Sequence, residues 1–305
     1  MNNINRTDNN IIDISFITIN YNGLEDTCDL IESLTNNTKL ISYEIIVIDN
    51  ASKKDEAQVI AKKYSNVIVV ASEINRGFSA GNNLGIKISR GKYICIINND
   101  TYIKTDHWNL LIKRFESSEK IGAISPKLCF AEDERTIQFA GSTPLSPITL
   151  RNSTIGYGKI NDGRFDEAAP TSFLHGAAML VKREVIEKVG LMPDIYFLYY
   201  EEIDWCTKIL NAGYELWYEP ACTVYHKESK STGLNSPLKS FYLTRNRALY
   251  AYRNKTGFNR VLSVAYLLTI PIIKSIIVNC IKRPQNALAS IKAVWAFIIL
   301  KNKRI

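Results

Sequence analysis

Residues 11–34 read IIDISFITINYNGLEDTCDLIESL. The first ten form a β-branched apolar run closed by Tyr21-Asn22-Gly23, after which Leu24, Cys28, Ile31 and Leu34 recur at helical spacing. That order, strand then turn then helix, repeats downstream. The run YEIIVID at 43–49 predicts a buried strand, 55–64 a helix, 67–71 a strand, 78–89 a helix and 93–98 another apolar strand. Strands apolar on both faces and separated by helices predict an α/β architecture with a mostly parallel sheet, helices on both sides and right-handed crossovers. After 124 the rhythm changes, and 141–171, rich in Gly, Pro, Ser and Thr, predicts irregular loops on the same core. Regularity returns with a strand at 177–181, a helix at 183–189, an acidic helix start at Glu201 and short strands at 214–218 and 223–226.

The chain of 305 residues is 46% hydrophobic and 22% charged, enough apolar material for one large or two medium domains and too much for a disordered chain. Its net charge of +8 is unevenly placed. Residues 236–305 carry 13 basic and no acidic side chains, leaving 25 basic and 30 acidic before them. This predicts two units, an α/β domain over 11–233 and a basic helical tail over 234–305. In the tail, 261–281 and 287–300 are apolar but interrupted by Lys274, Lys292 and Pro271. A lysine near mid-bilayer costs about 2.5–3.5 kcal/mol, so helices lying in an anionic membrane interface are expected rather than spans. Homodimerisation through the same helices, or ordinary packing on the sheet, stays open. Nucleic acid is not an expected partner, because the acidic body is a poor electrostatic footprint and carries no recognition motif. Six scattered cysteines without a C-x-x-C pair signal neither a disulfide framework nor a zinc site, and residues 1–10 lack the pattern of a secretion signal. A cytoplasmic setting, on the inner face of the cell membrane, is the expectation.

In parallel sheets ligands bind beyond the carboxyl ends of the strands. Those ends are polar throughout: Asn20-Tyr21-Asn22, Asp49-Asn50-Ala51-Ser52, Asn75-Arg76-Gly77 and Asn98-Asn99-Asp100. Any one of them is explained by turn chemistry; four at one sheet edge point to a ligand site. Neither G-x-G-x-x-G in the first turn nor a G-K-[ST] loop is present, which excludes a dinucleotide fingerprint and a P-loop.

Seven ordered motifs, TINYNG, IDNAS, NRGFSAGNN, INND, HGAAMLVKREVIEKVG, YYEEIDWC and FYLTRNR, spread over 14–253. Together they resemble the inverting family 2 glycosyltransferases of GT-A fold, bacterial rhamnosyltransferase-like members in particular. The resemblance implies a nucleotide-sugar donor, dTDP-rhamnose before UDP-sugars, a lipid-linked or polysaccharide acceptor and a divalent cation, Mn²⁺ or Mg²⁺. It puts Asn20, Tyr21 and Asp49 at the nucleotide base, Asn75, Arg76 and Gly77 in the nucleotide pocket, and Asn98-Asn99-Asp100 at the D-x-D position. Asp100 is then a metal ligand, with Asn98 standing where the family has the first Asp. His226, closing the last strand, is a second metal ligand or a hydrogen-bonded strand-end histidine. His175 lines the sugar or acceptor pocket or is structural.

Glu201, Glu202 and Asp204 begin a helix, where acids also suit the dipole. The preceding IYFLYY run would carry them into a desolvated place that raises a carboxyl toward a useful base. The resemblance makes Glu202 the base that deprotonates the acceptor, with Glu201 and Asp204 as support or alternatives, and it sets Arg245, beside Arg247, against the donor diphosphate. A sugar nucleotidyltransferase is disfavoured for want of a glycine-rich phosphate loop; a non-catalytic sugar-binding relative remains the alternative, as does a membrane-bound interaction protein acting through the tail.

Overall fold

The computed structural model describes residues 12–227 and 236–302. In chain order its elements are β1 (Ile14–Asn20), α1 (Leu24–Asn36), β2 (Tyr43–Asp49), α2 (Glu56–Lys63), β3 (Val67–Ala71), α3 (Gly77–Ile88), β4 (Tyr93–Ile97), β5 (Thr101–Ile103), α4 (Trp108–Glu116) and β6 (Ile121–Phe130). They continue with β7 (Ile137–Phe139), β8 (Ala169–Pro170), β9 (Ala178–Lys182), α5 (Arg183–Val189), α6 (Glu201–Asn211), β10 (Glu215–His226), α7 (Pro237–Asn254), α8 (Gly257–Lys282) and α9 (Pro284–Asn302).

The sheet runs β3-β2-β1-β4-β9-β6-β10-β5. Its first four strands are parallel as expected, but β9 lies antiparallel to both β4 and β6, so the sheet as a whole is mixed. Periodicity reports that a strand is buried, not which neighbour it chooses, and β9 reaches its place over a connection of some eighty residues. The two short strands expected at 214–218 and 223–226 are one strand, β10, whose register against β6 shifts between Glu219 and Thr223. Pro220 has no N–H to give to a ladder, which accounts for the interruption. The expected start of the first strand at Ile11 and the domain boundary at 233/234 lie outside the described residues.

Two apolar layers sandwich the sheet. Leu30, Ile31, Ile60, Trp108, Leu111 and Phe115 from α1, α2 and α4 pack on one face; Ile86, Val185, Ile186, Trp205 and Ile209 from α3, α5 and α6 pack on the other. Asn20 pairs with Asp49, and Asp49 with Ala71, so the ends of three strands stand level.

A third apolar cluster joins the C-terminal helices to the body, through Tyr196 and Tyr200 on one side and Leu249, Tyr250, Leu267 and Phe297 on the other. Within the basic C-terminal region, α7 thus shares a core with the α/β domain. Ion pairing adds to this: Arg253 Nε donates to Asp204 Oδ2 at 2.8 Å, and the Tyr196 hydroxyl donates to the same oxygen at 2.6 Å.

The segment between η-turn Asp194–Tyr196 and α6 is strained. Phe197, Tyr199 and Tyr200 have φ of 65°, 67° and 77°, a region costly for residues with a Cβ. Asn246 of α7 is fully buried, and its amide donates to the carbonyls of Tyr196, Leu198 and Tyr199 at 3.1, 2.7 and 2.8 Å. Arg245 adds a 2.7 Å bond to the Tyr196 carbonyl.

Replacing Asn246 by Ala leaves these carbonyls without their shared donor and is expected to cost roughly 2–4 kcal/mol. Urea unfolding measures it; a loss below about 0.5 kcal/mol, the range of a neutral surface change, would show that the loop holds its shape without the clamp.

Candidate active site

Two cavities meet beyond the strand ends. The first, about 310 Å³, is lined by Tyr21, Asn50, Asn75, Gly77 and Asn99. The second, about 400 Å³, is lined by Gln138, His175, Glu201, Glu202 and His226. Both volumes suit a small-molecule site. Phe78, Asn98, Asp100 and Leu198 line both, so the two cavities adjoin along an edge marked by the Asp100 carboxylate.

Topology brings Asp100 and His226 together. Asp100 immediately precedes β5, His226 closes β10, and the antiparallel register sets His226 opposite Thr101. Asp100 Oδ1 lies 3.2 Å from His226 Nε2, both side chains being buried. Gln138 Oε1, carried by β7, accepts from Nδ1–H at 2.9 Å and so turns Nε2 toward the carboxylate. Two acceptors at that distance need a proton or a cation between them. Burial opposes ionisation of Asp100, but the hydrogen bond and charge of His226 outweigh it and hold the carboxyl below its ordinary range.

The pair fits a divalent cation. Neighbouring ligands on an octahedral ion with bonds of about 2.1 Å stand roughly 3 Å apart, close to the 3.2 Å seen. Gln138 would then supply the outer hydrogen bond that fixes the imidazole as a ligand. Among the described residues no group of three or more His, Cys, Asp or Glu is arranged to hold a metal. The remaining positions would fall to substrate oxygens and water, as is usual for Mg²⁺ at phosphates.

Across the second cavity the carboxylates behave in the opposite sense. Burial raises Glu202 above the ordinary carboxylate range; burial, then the charge of Glu202, raises Glu201 well above it. Glu201 is 2% exposed and its Oε2 has no hydrogen-bond partner. Gly176 lies beside the Glu202 arm, where a Cβ would stand 3.8 Å from its Cγ. His175 is half-buried and held neutral, its value lowered to about 3 by desolvation first and by His226 second. Its Nδ1 accepts from the Ala177 N–H at 3.1 Å, leaving Nε2–H as a donor.

The other sequence-identified residues divide. Tyr21, Asn75, Gly77, Asn98 and Asn99 line the first cavity, Tyr21 being 45% exposed. Asn20 and Asp49 do not: the Asn20 amide donates to Asp49 at 2.7 Å and to Glu56 at 2.8 Å, a buried brace beneath the strand ends. The Arg76 side chain turns away to Ser72, while its backbone N–H donates to Asn50. Asp204 faces Arg253 and Tyr196 instead of the cavity. Arg245 lies over the Tyr242 ring at 4.8 Å and binds the Tyr196 carbonyl, so it holds the loop before α6 and lines neither cavity. In each case a nearer partner satisfies the group.

Sequence reasoning passed over Asn50 and Gln138 as site residues. Asn50 binds Asn75 at 3.0 Å and the Gly77 carbonyl at 3.2 Å, and its place in the quoted strand-end set was the available signal. Gln138 had none, since nothing local marks it. Gly77 has φ of +77°, and a Cβ there would stand 2.2 Å from the Phe197 carbonyl oxygen. That oxygen accepts from the Phe78 N–H at 2.6 Å, tying the first cavity to the strained loop of the second.

The sequence model described as Glycosyl transferase family 2 matches residues 15–190. The low-salt glycan biosynthesis hexosyltransferase Agl10 of Haloferax volcanii is 27% identical over 78% of this chain and 75% of its own. The rhamnosyltransferase WbbL of Escherichia coli is 28% identical over 82% of this chain and 98% of its own. Among solved structures, GalNAc-T7 with UDP, GalNAc and Mn²⁺ superposes with a TM-score of 0.61 at 14% identity, over 86% of this chain but 56% of that one. S. aureus TarS 1-349 with UDP-GlcNAc gives 0.58 at 15%, over 94% and 81%. At such identities the structures establish the GT-A fold.

The raised carboxyls carry a pH signature. Glu201 binds its proton more tightly folded than unfolded, so its ionisation weakens the fold as pH climbs from the ordinary carboxylate range through the raised value. Glu201→Gln is therefore expected to melt higher than the parent at pH 8 and to lose that advantage toward pH 5. An equal difference at both pH values in thermal melts would exclude a buried, proton-hungry Glu201.

Proposed function

The chain belongs to glycosyl transferase family 2, and on that premise we propose that it is a metal-dependent inverting transferase acting on a nucleotide-sugar donor. The observation that carries this reading is the Asp100–His226 pair at the edge shared by two cavities, with Glu202 lining the second. The first cavity takes the nucleotide, with Tyr21 as a face for the base and Asn50, Asn75 and Asn99 as hydrogen-bonding groups. The second takes the sugar and the acceptor hydroxyl.

A divalent cation at Asp100 and His226 would neutralise the charge that develops on the leaving diphosphate. Glu202, raised by burial, accepts the proton of the acceptor hydroxyl as it attacks the anomeric carbon in line. His175, neutral and hydrogen-bonded at Nδ1, offers Nε2–H to a sugar or acceptor oxygen. Glu201 stays protonated beside Glu202 and limits repulsion between the two carboxyls. Loop 196–200, fixed by Asn246, sets where the Glu202 carboxylate stands.

For the donor we favour dTDP-rhamnose. The second cavity sets an apolar wall of Phe78, Phe139, Phe173, Leu174, Leu198 and Ile203 against its polar edge, which suits a sugar bearing a methyl group. The likeness to rhamnosyltransferases points the same way. The acceptor is a lipid-linked or growing glycan, and the α/β domain works from the cytoplasmic membrane face.

The seat on that face is formed by α8 and α9. Residues Gly257–Asn279 are long and apolar enough to cross a bilayer by length and composition. A position in the interface fits their packing better. Leu267 and Ile272 are buried, and the Ser263 hydroxyl donates to the Pro147 carbonyl, so α8 lies along the body. Phe258, Val261, Ile273, Leu288, Trp295 and Ile299 are exposed on the two helices, with Arg260, Lys274, Lys292 and Lys301 among them.

Thermal melts against dTDP-rhamnose and UDP-sugars, with and without Mn²⁺, test the donor site: a true donor at 100 times its dissociation constant adds about 2.7 kcal/mol. Asp100→Ala is expected to abolish the metal-dependent shift. Glu202→Gln is expected to keep it while transfer falls by about 10²–10⁴-fold. Undiminished transfer by that variant would remove Glu202 as base, and a parent protein shifted by no donor would sink the transferase reading.

Vesicle flotation tests the seat. Binding to anionic vesicles that exceeds binding to neutral ones and weakens with added salt is expected; equal binding to both, insensitive to salt, would favour a spanning α8.

A further inference from the structure

Behind the loop that carries Glu202 lies a groove that neither substrate cavity uses. It holds about 290 Å³ between α8 and the segment before β8, and Arg151, Arg247 and Lys274 line it together with Tyr266, Ile270 and Val278. Through Arg247 and Pro271 it joins a smaller hollow of about 160 Å³ that ends on Tyr200. Among the described residues, three cations and no carboxylate line the pair of hollows. One terminal nitrogen of Arg247 donates to the Thr149 carbonyl. Its Nε is buried without a hydrogen-bond partner. A cluster of like charges facing one groove calls for an anion, and the fork of Arg suits phosphate oxygens.

The groove borders the second cavity. Asn152, Tyr199 and Lys239 line that cavity, while their neighbours Arg151 and Tyr200, and Leu243 one turn further along α7, line the groove and its hollow. On the other side it opens onto α8, where Ile270 and Ile273 are 54% and 53% exposed. The groove thus joins a cationic pocket to an apolar strip, with residues next in the chain to its lining bordering the cavity that holds Glu202.

We propose that this groove binds the phosphate of an amphiphilic acceptor, a lipid phosphate or diphosphate. The anion sits among Arg151, Arg247 and Lys274, the hydrocarbon chain runs along the exposed strip of α8, and the sugar end reaches Glu202. This names the acceptor class of the transferase reading and rests on that reading for the reacting hydroxyl. The binding site itself stands on the groove.

The test uses the full chain in a fixed concentration of nonionic detergent, with divalent metal removed so that Asp100 and His226 do not capture the probe. Calorimetric titration with farnesyl diphosphate is compared with farnesol and with inorganic pyrophosphate. Farnesyl diphosphate is expected to saturate and to bind at least about tenfold more tightly than either, because charge-assisted bonds and apolar contact act together. Arg151→Gln with Lys274→Gln is expected to weaken it about tenfold, each lost charge-assisted bond being worth that order. In the same variant the melting shift with donor nucleotide and Mn²⁺ should not move.

Pyrophosphate binding as tightly would reduce the groove to a site for free anions and overturn the lipid. Farnesol binding as tightly, or a double variant equal to the parent, would overturn the role of the cations. A stable dimer that takes up no farnesyl diphosphate would assign the strip to a second copy of the chain. Lipid phosphate binding in a protein that no nucleotide shifts would leave the groove standing and end the transferase reading instead.

Discussion

One side-chain amide holds this site in shape. Between Tyr196 and Tyr200 the backbone takes left-handed conformations at three residues with side chains, each costing about 1–3 kcal/mol. Such a path persists only where its carbonyls are bound from elsewhere, and Asn246 binds three of them with one nitrogen. The consequence reaches both cavities. The loop ends at Glu201 and Glu202, and it also presents the Phe197 carbonyl to Phe78 N–H, against which Gly77 packs with no room for a Cβ. A single clamp from the C-terminal helices thereby fixes the first cavity relative to the second.

Within that frame, environment sets carboxyls to opposite tasks. Asp100 is buried beside His226 and is held ionised; Glu201, buried, and Glu202, half-buried, start α6 with no ion-pair partner among the described residues and are pushed toward their protonated forms. Pairs of acids driven apart in this way are how one site holds a cation ligand and a proton acceptor at the same pH. The separation follows from partners and not from residue type.

The same logic explains why several strong sequence candidates serve the scaffold. Asp204 pairs with Arg253, Arg245 lies over Tyr242, and Asn20 braces Asp49. Each is a polar group that burial would penalise unless matched, and Asp204–Arg253, Asn20–Asp49 and the Arg245 bond to the Tyr196 carbonyl link elements distant in the chain. The basic C-terminal helices therefore combine two roles: they close the active-site loop from behind, and their far side exposes apolar residues interspersed with lysine and arginine.

The sequence by itself determined the parallel half of the sheet, because apolar runs such as YEIIVID bounded by turns and amphipathic helices reflect local periodicity. It also determined the polar strand ends and a set of ordered motifs, the first five of which fall within the residues 15–190 that the family model matches. Short elements such as β5 and β7 escaped it, since three residues carry no period. Only the tertiary structure decided that β9 enters the sheet antiparallel, that Gln138 orients His226, and that Asp204 and Arg245 face neighbours and line neither cavity. Those choices depend on which groups lie near after folding, and Asn246 meets Tyr196 across fifty residues of chain. Local pattern fixes what a segment buries; the direction of each polar side chain waits for a partner that only the folded chain supplies.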